Sequence, residues 1–90
     1  MNMLTKCMAV DHAADGIRVN AIAPGTINTD AGADAAELAA HPLASIYPSG
    51  RIGTVEDLGY AVLLLCAPAG AWINGVVMPI DGGLTSYCRM

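Results

Sequence analysis

Apolar and polar positions fall into blocks along the chain, and these blocks predict the order helix, strand, small-residue segment, helix and strand. The first block, residues 2–15, has one apolar helical face, made by Met3, Leu4, Cys7 and Met8. Gly16 is expected to end this helix, because glycine adopts the left-handed conformation that terminates many helices. No capping residue precedes Met3, so the helical pattern begins within a turn.

The second block, residues 17–23, is apolar apart from Arg18 and Asn20. Nearly continuous apolar runs are typical of parallel strands that are covered on both faces. Pro24 and Gly25 end the strand. Residues 30–50 are rich in alanine and predict a short helix near residues 34–40, followed by an irregular segment. Such a segment is either a mobile lid or a plain connection.

Thr54 is expected to cap the next helix, with Asp57 three residues later completing a capping box. The helix body, residues 58–67, is apolar nearly all the way round, which predicts burial on two sides. One side would pack on the sheet, and the other would meet a second subunit or another part of the fold.

Residues 76–80 predict the second strand, which Asp81, Gly82 and Gly83 close. Strand, helix and strand would form one right-handed crossover unit. Asn74-Gly75 also permits a β-hairpin between residues 71–73 and 76–78. The predicted class is α/β, part of a doubly wound parallel sheet with two parallel strands and helices on both faces.

Composition narrows the class of protein. Ninety residues form one domain or part of one, and a hydrophobic content of 54% excludes a disordered chain. It also suggests apolar surface that another element covers. A net charge of -4, with only four scattered Lys and Arg residues, argues against nucleic acid or an anionic membrane as a partner. No apolar run approaches the ~20 residues that cross a bilayer.

The three cysteines, Cys7, Cys66 and Cys88, are widely spaced and form no Cys-x-x-Cys pair. Zinc binding is therefore not expected, and no metal site is predicted. Reduced thiols fit a cytosolic protein, so the expected location is the cytoplasm.

Five blocks in order resemble one family. They are MLTK from residue 3 with GIRVN from 16, APGTINT from 23, GRIGTVED from 50, WING from 72 and PIDGG from 79. Together they resemble the C-terminal third of the short-chain dehydrogenase/reductase family, after its Tyr-x-x-x-Lys motif. The resemblance implies a single partial Rossmann-like domain over residues 1–90, containing the last two strands of the family sheet, with residues 30–50 as a substrate lid.

By the same resemblance, Pro24 and Gly25 would lie against the nicotinamide ring of NAD or NADP. The backbone of Ile27 and the hydroxyl of Thr29 would bind the carboxamide. The alternative is structural: Pro24-Gly25 merely ends a strand, and Thr29 caps the helix beyond it.

The family's catalytic Tyr and Lys, with its Ser and Asn, match no residues of this sequence, and neither does its Gly-rich dinucleotide turn. None of Tyr47, Tyr60 and Tyr87 is followed four residues later by Lys, so each is expected to be structural. No catalytic residue is therefore assigned.

Other polar residues also favour structural roles. His12 is expected on a solvated helix face, and His41 in a loop. Arg51 is expected to pair with a carboxylate or with backbone carbonyls. The run from Asp81 to Gly83 follows a strand, which indicates a turn and not a phosphate loop.

Three hypotheses follow. The leading hypothesis is that the chain is the C-terminal part of an NAD(P)-dependent alcohol/carbonyl oxidoreductase and that these ninety residues are inactive by themselves. Together with the missing N-terminal part, the protein would act on a small-molecule substrate. It would form a homo-oligomer through residues 54–67 and 76–80. The second is a non-catalytic interaction module. The third is a truncated product without a selected function, which the missing helix cap favours.

Overall fold

The computed structural model describes residues 2–30 and 32–86, and its architecture is α/β. It contains three α-helices and four short strands, joined by loops and single 3-10 turns. The helices are α1 (Asn2–His12), α2 (Ala35–Ala40) and α3 (Val55–Cys66), and the strands are β1 (Ala21–Pro24), β2 (Ile27–Asn28), β3 (Gly53–Thr54) and β4 (Val77–Ile80). The strands pair as two two-stranded sheets, β1 with β4 and β2 with β3.

The predicted pairing of the first and last strands is confirmed. The Ala21 amide donates to the Val76 carbonyl at 2.9 Å, and the Gly25 amide donates to the Ile80 carbonyl at 3.1 Å. Both bonds join residues 55 positions apart, and a constant separation is the pattern of parallel strands. The β2–β3 pair, also parallel, has Ile27 opposite Gly53 and was not predicted.

The first strand is shorter than the predicted 17–23, because the residues before it bond to a loop and not to a strand. The Val19 amide donates to Asn74 Oδ1 at 2.9 Å, and Asn20 Nδ2 donates to the Ile73 carbonyl at 2.9 Å. The prediction of strand structure over residues 17–20 is therefore wrong.

The alternative hairpin at Asn74-Gly75 is not formed. The Gly75 amide donates to the Val19 carbonyl at 2.9 Å, and the Ile73 amide closes a tight turn onto the Gly70 carbonyl at 2.9 Å. Residues 71–73 thus have no strand partner among the described residues.

The described residues form two compact units, the first comprising residues 2–23 and 59–78. Helix α1 continues as a 3-10 turn, Ala13–Asp15, and ends at Gly16 with φ of +76°, as the sequence predicts. The Asn74 side chain links α1 to the residues before β1 in this unit. Its Oδ1 accepts from the Val19 amide at 2.9 Å, and its Nδ2 donates to the Ala9 carbonyl at 3.1 Å. Lys6 Nζ donates to the Gly75 carbonyl at 3.0 Å beside it.

The second unit comprises residues 24–58 and 79–86. Its core contains the buried residues Leu38, Tyr47 and Ile52, with Ala33 and Leu84 packed against them. The predicted short helix is confirmed as α2, and its cap is Asp34, whose carboxylate accepts from the Glu37 amide at 2.8 Å.

Helix α3 begins at the predicted capping box. The Asp57 amide donates to Thr54 Oγ1 at 3.1 Å, and the Thr54 amide donates back to Asp57 Oδ2 at 2.9 Å. Among the residues of α3 only Leu65 is buried, while Tyr60 and Leu63 are 71% and 65% exposed. Across the described ranges, the helices are all too short or too polar to cross a bilayer.

Candidate functional site

Residues 24–29 (the 24–29 turn) connect the ends of both small sheets. Pro24 is the last residue of β1, and Ile27 is the first of β2. Between them, the Gly25 amide bonds to the Ile80 carbonyl at 3.1 Å, and the Thr26 carbonyl accepts from the Gly53 amide at 2.9 Å. The turn is therefore held by its backbone from two directions.

A cavity of about 200 Å³ lies beside this turn, within the second unit. Gly25 and Ile27, two of the four residues that the resemblance assigns to the nicotinamide, line it. The other two, Pro24 and Thr29, are exposed and lie outside its lining. Its wall also contains Thr26, Tyr47, Ser49, Arg51, Gly53, Asp57, Ile80, Asp81 and Gly82. The structure thus brings half of the predicted set into one cavity.

Gly25 is a position of close approach, and the approaching groups belong to the protein itself. A Cβ atom at Gly25 would lie 2.9 Å from Tyr47 Cε1, 3.0 Å from the Tyr47 hydroxyl and 3.3 Å from Asp81 Cα. Real Cβ atoms hardly ever make contacts this short, so glycine is required by packing.

Ile27 contributes its side chain to packing. Its Cδ1 atom lies 2.7 Å from the position that a Cβ at Gly53 would take, so a side chain at Gly53 would require the end of the Ile27 side chain to move. The Ile27 side chain is therefore directed to β3, and any polar contact that Ile27 makes to a ligand must come from its backbone.

Thr29 does not cap the following helix, so that part of the structural alternative is wrong, whereas Pro24 does end β1. The α2 cap is Asp34. Asn28, next to Thr29, uses Oδ1 to accept the Asp30 amide at 2.8 Å. Thr29 is exposed, and its hydroxyl takes no part in the Asn28–Asp30 and Asp34–Glu37 hydrogen bonds.

The cavity wall contains three charged residues, Arg51, Asp57 and Asp81, of which the first two form an ion pair. Arg51 Nη1 donates to Asp57 Oδ2 at 2.9 Å and to the Ile52 carbonyl at 2.9 Å, which confirms both predicted kinds of partner. Hydrogen bonds from Arg51 and from the Thr54 amide hold the pKa of Asp57 below its usual value. The same pairing raises the pKa of Arg51, so the cavity wall carries a neutralised ion pair.

Asp81 organises the turn after β4. Its carboxylate accepts from the Thr85 hydroxyl at 2.6 Å, from the Thr85 amide at 3.2 Å and from the Gly83 amide at 3.1 Å. These bonds, that of the Thr85 hydroxyl first, hold the pKa of Asp81 below its usual value. Gly82 and Gly83 have φ of +57° and +92°, so the predicted turn is confirmed.

Tyr47 has a position that its sequence context did not indicate. Its hydroxyl accepts from the Thr26 amide at 2.7 Å and donates to Thr26 Oγ1 at 2.7 Å, and the residue is only 6% exposed. The expected structural role is confirmed, but its partner in the 24–29 turn was missed. A buried Tyr hydroxyl needs a hydrogen-bond partner. That rule is the one signal in the sequence that could have indicated a partner for Tyr47.

Of the remaining candidates, His12, His41 and Tyr60 lie outside the lining of this cavity. His12 is exposed, and His41 Nδ1 accepts the Leu43 amide at 3.0 Å within a local turn. Tyr60 is exposed on α3, and Tyr87 lies outside the described residues. Within residues 2–30 and 32–86, no three His, Cys, Asp or Glu side chains converge on a common point that could hold a metal ion.

Comparison with known proteins shows which proteins this chain resembles. A family profile described as enoyl-(acyl carrier protein) reductase matches residues 1–85. 2-(S)-hydroxypropyl-CoM dehydrogenase 3 of Xanthobacter autotrophicus is 40% identical over 90 residues, which cover 92% of this chain and 35% of that protein. 3α-Hydroxysteroid dehydrogenase of Mediterraneibacter gnavus is 38% identical over 86 residues, covering 96% of this chain and 34% of that protein.

A solved structure, ElxO with NADP bound, aligns with a TM-score of 0.79 and 36% identity, over 96% of this chain and 36% of that one. The match confirms the predicted Rossmann-like α/β class. The chain spans about a third of the length of these relatives.

Proposed function

The chain belongs to the short-chain dehydrogenase/reductase family, and on that premise we propose that it is the C-terminal part of an NAD(P)-dependent alcohol/carbonyl oxidoreductase. Its contribution is the nicotinamide-side wall of the active site, a segment bordering the substrate, and an oligomer interface. The observation that carries the proposal is the 24–29 turn, which follows β1 and lines a cavity with Gly25 and Ile27. Ligands of open α/β sheets bind beyond the carboxyl ends of the strands, where this turn lies.

In this proposal the nicotinamide ring packs against Pro24 and Gly25. The Ile27 side chain packs against Gly53, so Ile27 would offer its backbone amide and carbonyl to the carboxamide. The exposed Thr29 hydroxyl would add a third hydrogen bond. Together these contacts fix which face of the ring meets the substrate.

The cofactor is NAD or NADP. ElxO, whose structure aligns with this chain, is a protein with NADP bound, which supports a nicotinamide cofactor for this family. When bound, that cofactor accepts or donates the hydride. The residues of this chain orient its ring, and none of them is assigned a proton-transfer role.

We assign residues 30–50 to the substrate side. The buried residues Leu38, Ala44 and Tyr47 anchor this segment in the second unit. Leu43 and Ile46 are exposed apolar residues between those anchors, and such residues suit a small alcohol or carbonyl substrate. The named relatives include a dehydrogenase of a hydroxysteroid and one of hydroxypropyl-CoM. The substrate class that we propose is therefore an alcohol or a carbonyl compound.

The oligomer interface is proposed for residues 54–67 and 76–80. Helix α3 is apolar over most of its length and yet leaves Tyr60 and Leu63 exposed. Trp72, in the loop between α3 and β4, is 99% exposed. Exposed apolar surface of this kind marks an interaction site, which also favours the second candidate function, a non-catalytic interaction module.

The ninety residues should not turn over substrate alone, because they contain no Tyr-x-x-x-Lys pair and no Gly-rich pyrophosphate turn. The test combines a hydride-transfer assay on a panel of alcohols and ketones with a calorimetric titration by NADPH. We expect no turnover and a dissociation constant on the order of millimolar or weaker. Turnover, or micromolar binding, would contradict the proposal.

A further inference from the structure

The hydroxyl of Tyr47 makes two hydrogen bonds to the 24–29 turn. That hydroxyl accepts the Thr26 amide and donates to Thr26 Oγ1, each at 2.7 Å. Both bonds are short, and both end on one residue of the turn. In this arrangement Thr26 can shift only if the Tyr47 hydroxyl moves with it or loses both bonds.

The ring of Tyr47 controls the neighbouring residue as well. It packs against Gly25 so closely that a Cβ there would lie 2.9 Å from Tyr47 Cε1. The Gly25 amide is already bonded to the Ile80 carbonyl at 3.1 Å. One tyrosine thus fixes the two residues that lie between Pro24 and Ile27.

The other side of Tyr47 is tied to the 30–50 segment. Its ring belongs to the buried cluster with Leu38 and Ile52. Its carbonyl accepts the Gly50 amide at 2.8 Å. A buried side chain with these anchors holds its hydroxyl in one place, which is the requirement for positioning a partner.

We infer that Tyr47 is a positioning residue, which sets the 24–29 turn in the geometry that receives the nicotinamide and couples that turn to the 30–50 segment. This inference rests on the proposed function. Tyr47 has no role in proton transfer here; it acts through Thr26 on Gly25 and Ile27. Movement of the 30–50 segment would therefore be transmitted to the cofactor side of the site.

The test uses the full ninety-residue chain, labelled with ¹⁵N, and nicotinamide mononucleotide as the probe. Tyr47→Phe keeps the ring and removes the hydroxyl, and His12→Gln is the control because His12 is exposed and lies outside both the cavity lining and the proposed interface. Two quantities are measured: the hydrogen-exchange rate of the Thr26 amide, and the probe's dissociation constant from the shifts of the Gly25 and Ile27 amides.

We expect Tyr47→Phe to speed exchange at Thr26 and to weaken probe binding by about fivefold, the ratio for one ordinary hydrogen bond. Amide shifts in α1 should stay unchanged in Tyr47→Phe, and His12→Gln should alter neither quantity. A Tyr47→Phe chain that binds the probe as well as wild type overturns the inference.

Two further outcomes are distinguishable. If the wild-type amides of the 24–29 turn do not respond to the probe at all, the proposed function fails and this inference fails with it. If Tyr47→Phe does not fold, Thr26→Val replaces it, since that variant loses only the Thr26 Oγ1 acceptor. An unchanged probe affinity in Thr26→Val then overturns the inference, and a weaker affinity supports it.

Discussion

Replacing Gly25 by alanine tests the packing of the 24–29 turn more sharply than any other single change. Gly25 does not have a positive φ, so its backbone conformation tolerates alanine. The obstacle is space, because the new Cβ would lie 2.9 Å from Tyr47 Cε1 and 3.3 Å from Asp81 Cα. The first neighbour is a buried ring, and the second is backbone, so neither can move without disturbing others.

The magnitude follows from two opposing effects. Adding a methyl group to a filled site costs about 1–3 kcal/mol through displaced neighbours. Gly→Ala also restricts the unfolded chain and stabilises the folded one by about 0.4–1 kcal/mol. With each effect at the middle of its range, the net loss in the free energy of unfolding is about 1.3 kcal/mol.

Urea denaturation, followed by circular dichroism, measures this loss. With an m-value of about 1 kcal/mol/M for a small protein, the midpoint should fall by about 1.3 M. Gly59→Ala is the matched control: a Cβ at Gly59 meets nothing within 4 Å, and the residue lies in α3. That variant should raise stability by about 0.5–1 kcal/mol.

A second substitution identifies the cause of the loss. In a Tyr47→Leu background the ring atoms nearest Gly25 are absent, so Gly25→Ala should cost less than it does in the wild type. If Gly25→Ala leaves the midpoint unchanged or raises it, or if its cost is the same in both backgrounds, the packing described for this turn is wrong.

Three other predictions concern stability and association. Asp57→Asn should lower stability near neutral pH. In the wild type, the depressed pKa of Asp57 contributes stability that is present above the unfolded pKa of ~3.9 and is lost as the pH falls through the folded pKa. The difference in the free energy of unfolding between wild type and variant, measured by urea denaturation, should therefore shrink below about pH 4, and a constant difference would contradict the prediction. Asn74→Ala should cost about 1–2 kcal/mol in the same assay, because the Val19 amide and the Ala9 carbonyl both lose a partner, and no loss would contradict that linkage. Trp72 is 99% exposed, so its fluorescence should shift to shorter wavelength when self-association at higher chain concentration covers it. An invariant spectrum at concentrations where sedimentation shows oligomers would exclude Trp72 from the interface.

The sequence predicts the helices and their boundaries well, because the signals are local. Gly16 adopts the left-handed conformation expected of a helix stop, and Thr54 with Asp57 forms the expected capping box. Each of these features depends on a few neighbouring residues. Local hydrogen-bond chemistry is readable from a short window of sequence.

The strands are predicted less well, because their bounds depend on distant partners. Residues 17–20 have a strand-like pattern, but Arg18, Val19 and Asn20 bond to the loop containing Ile73 and Asn74. These partners lie more than fifty residues away along the chain. The two-residue strands β2 and β3 are too short to leave an alternating pattern.

The candidate site was predicted in part. The motif APGTINT led to Gly25 and Ile27, which line the cavity. It did not lead to Tyr47, because nothing in the sequence links a tyrosine to a threonine amide 21 positions away. The roles of Pro24, Gly25, Ile27 and Thr29 toward a cofactor all stay predictions.

The most direct test of the central claim, that the 24–29 turn faces the nicotinamide, is a map of amide shifts. The ¹⁵N-labelled chain is titrated with nicotinamide mononucleotide, and again with adenosine monophosphate as the matched control. Gly25, Ile27 and Thr29 should shift with the first ligand, saturably and with a dissociation constant on the order of millimolar, and should not shift with the second. Shifts confined to other residues, or equal responses to both ligands, would contradict the account.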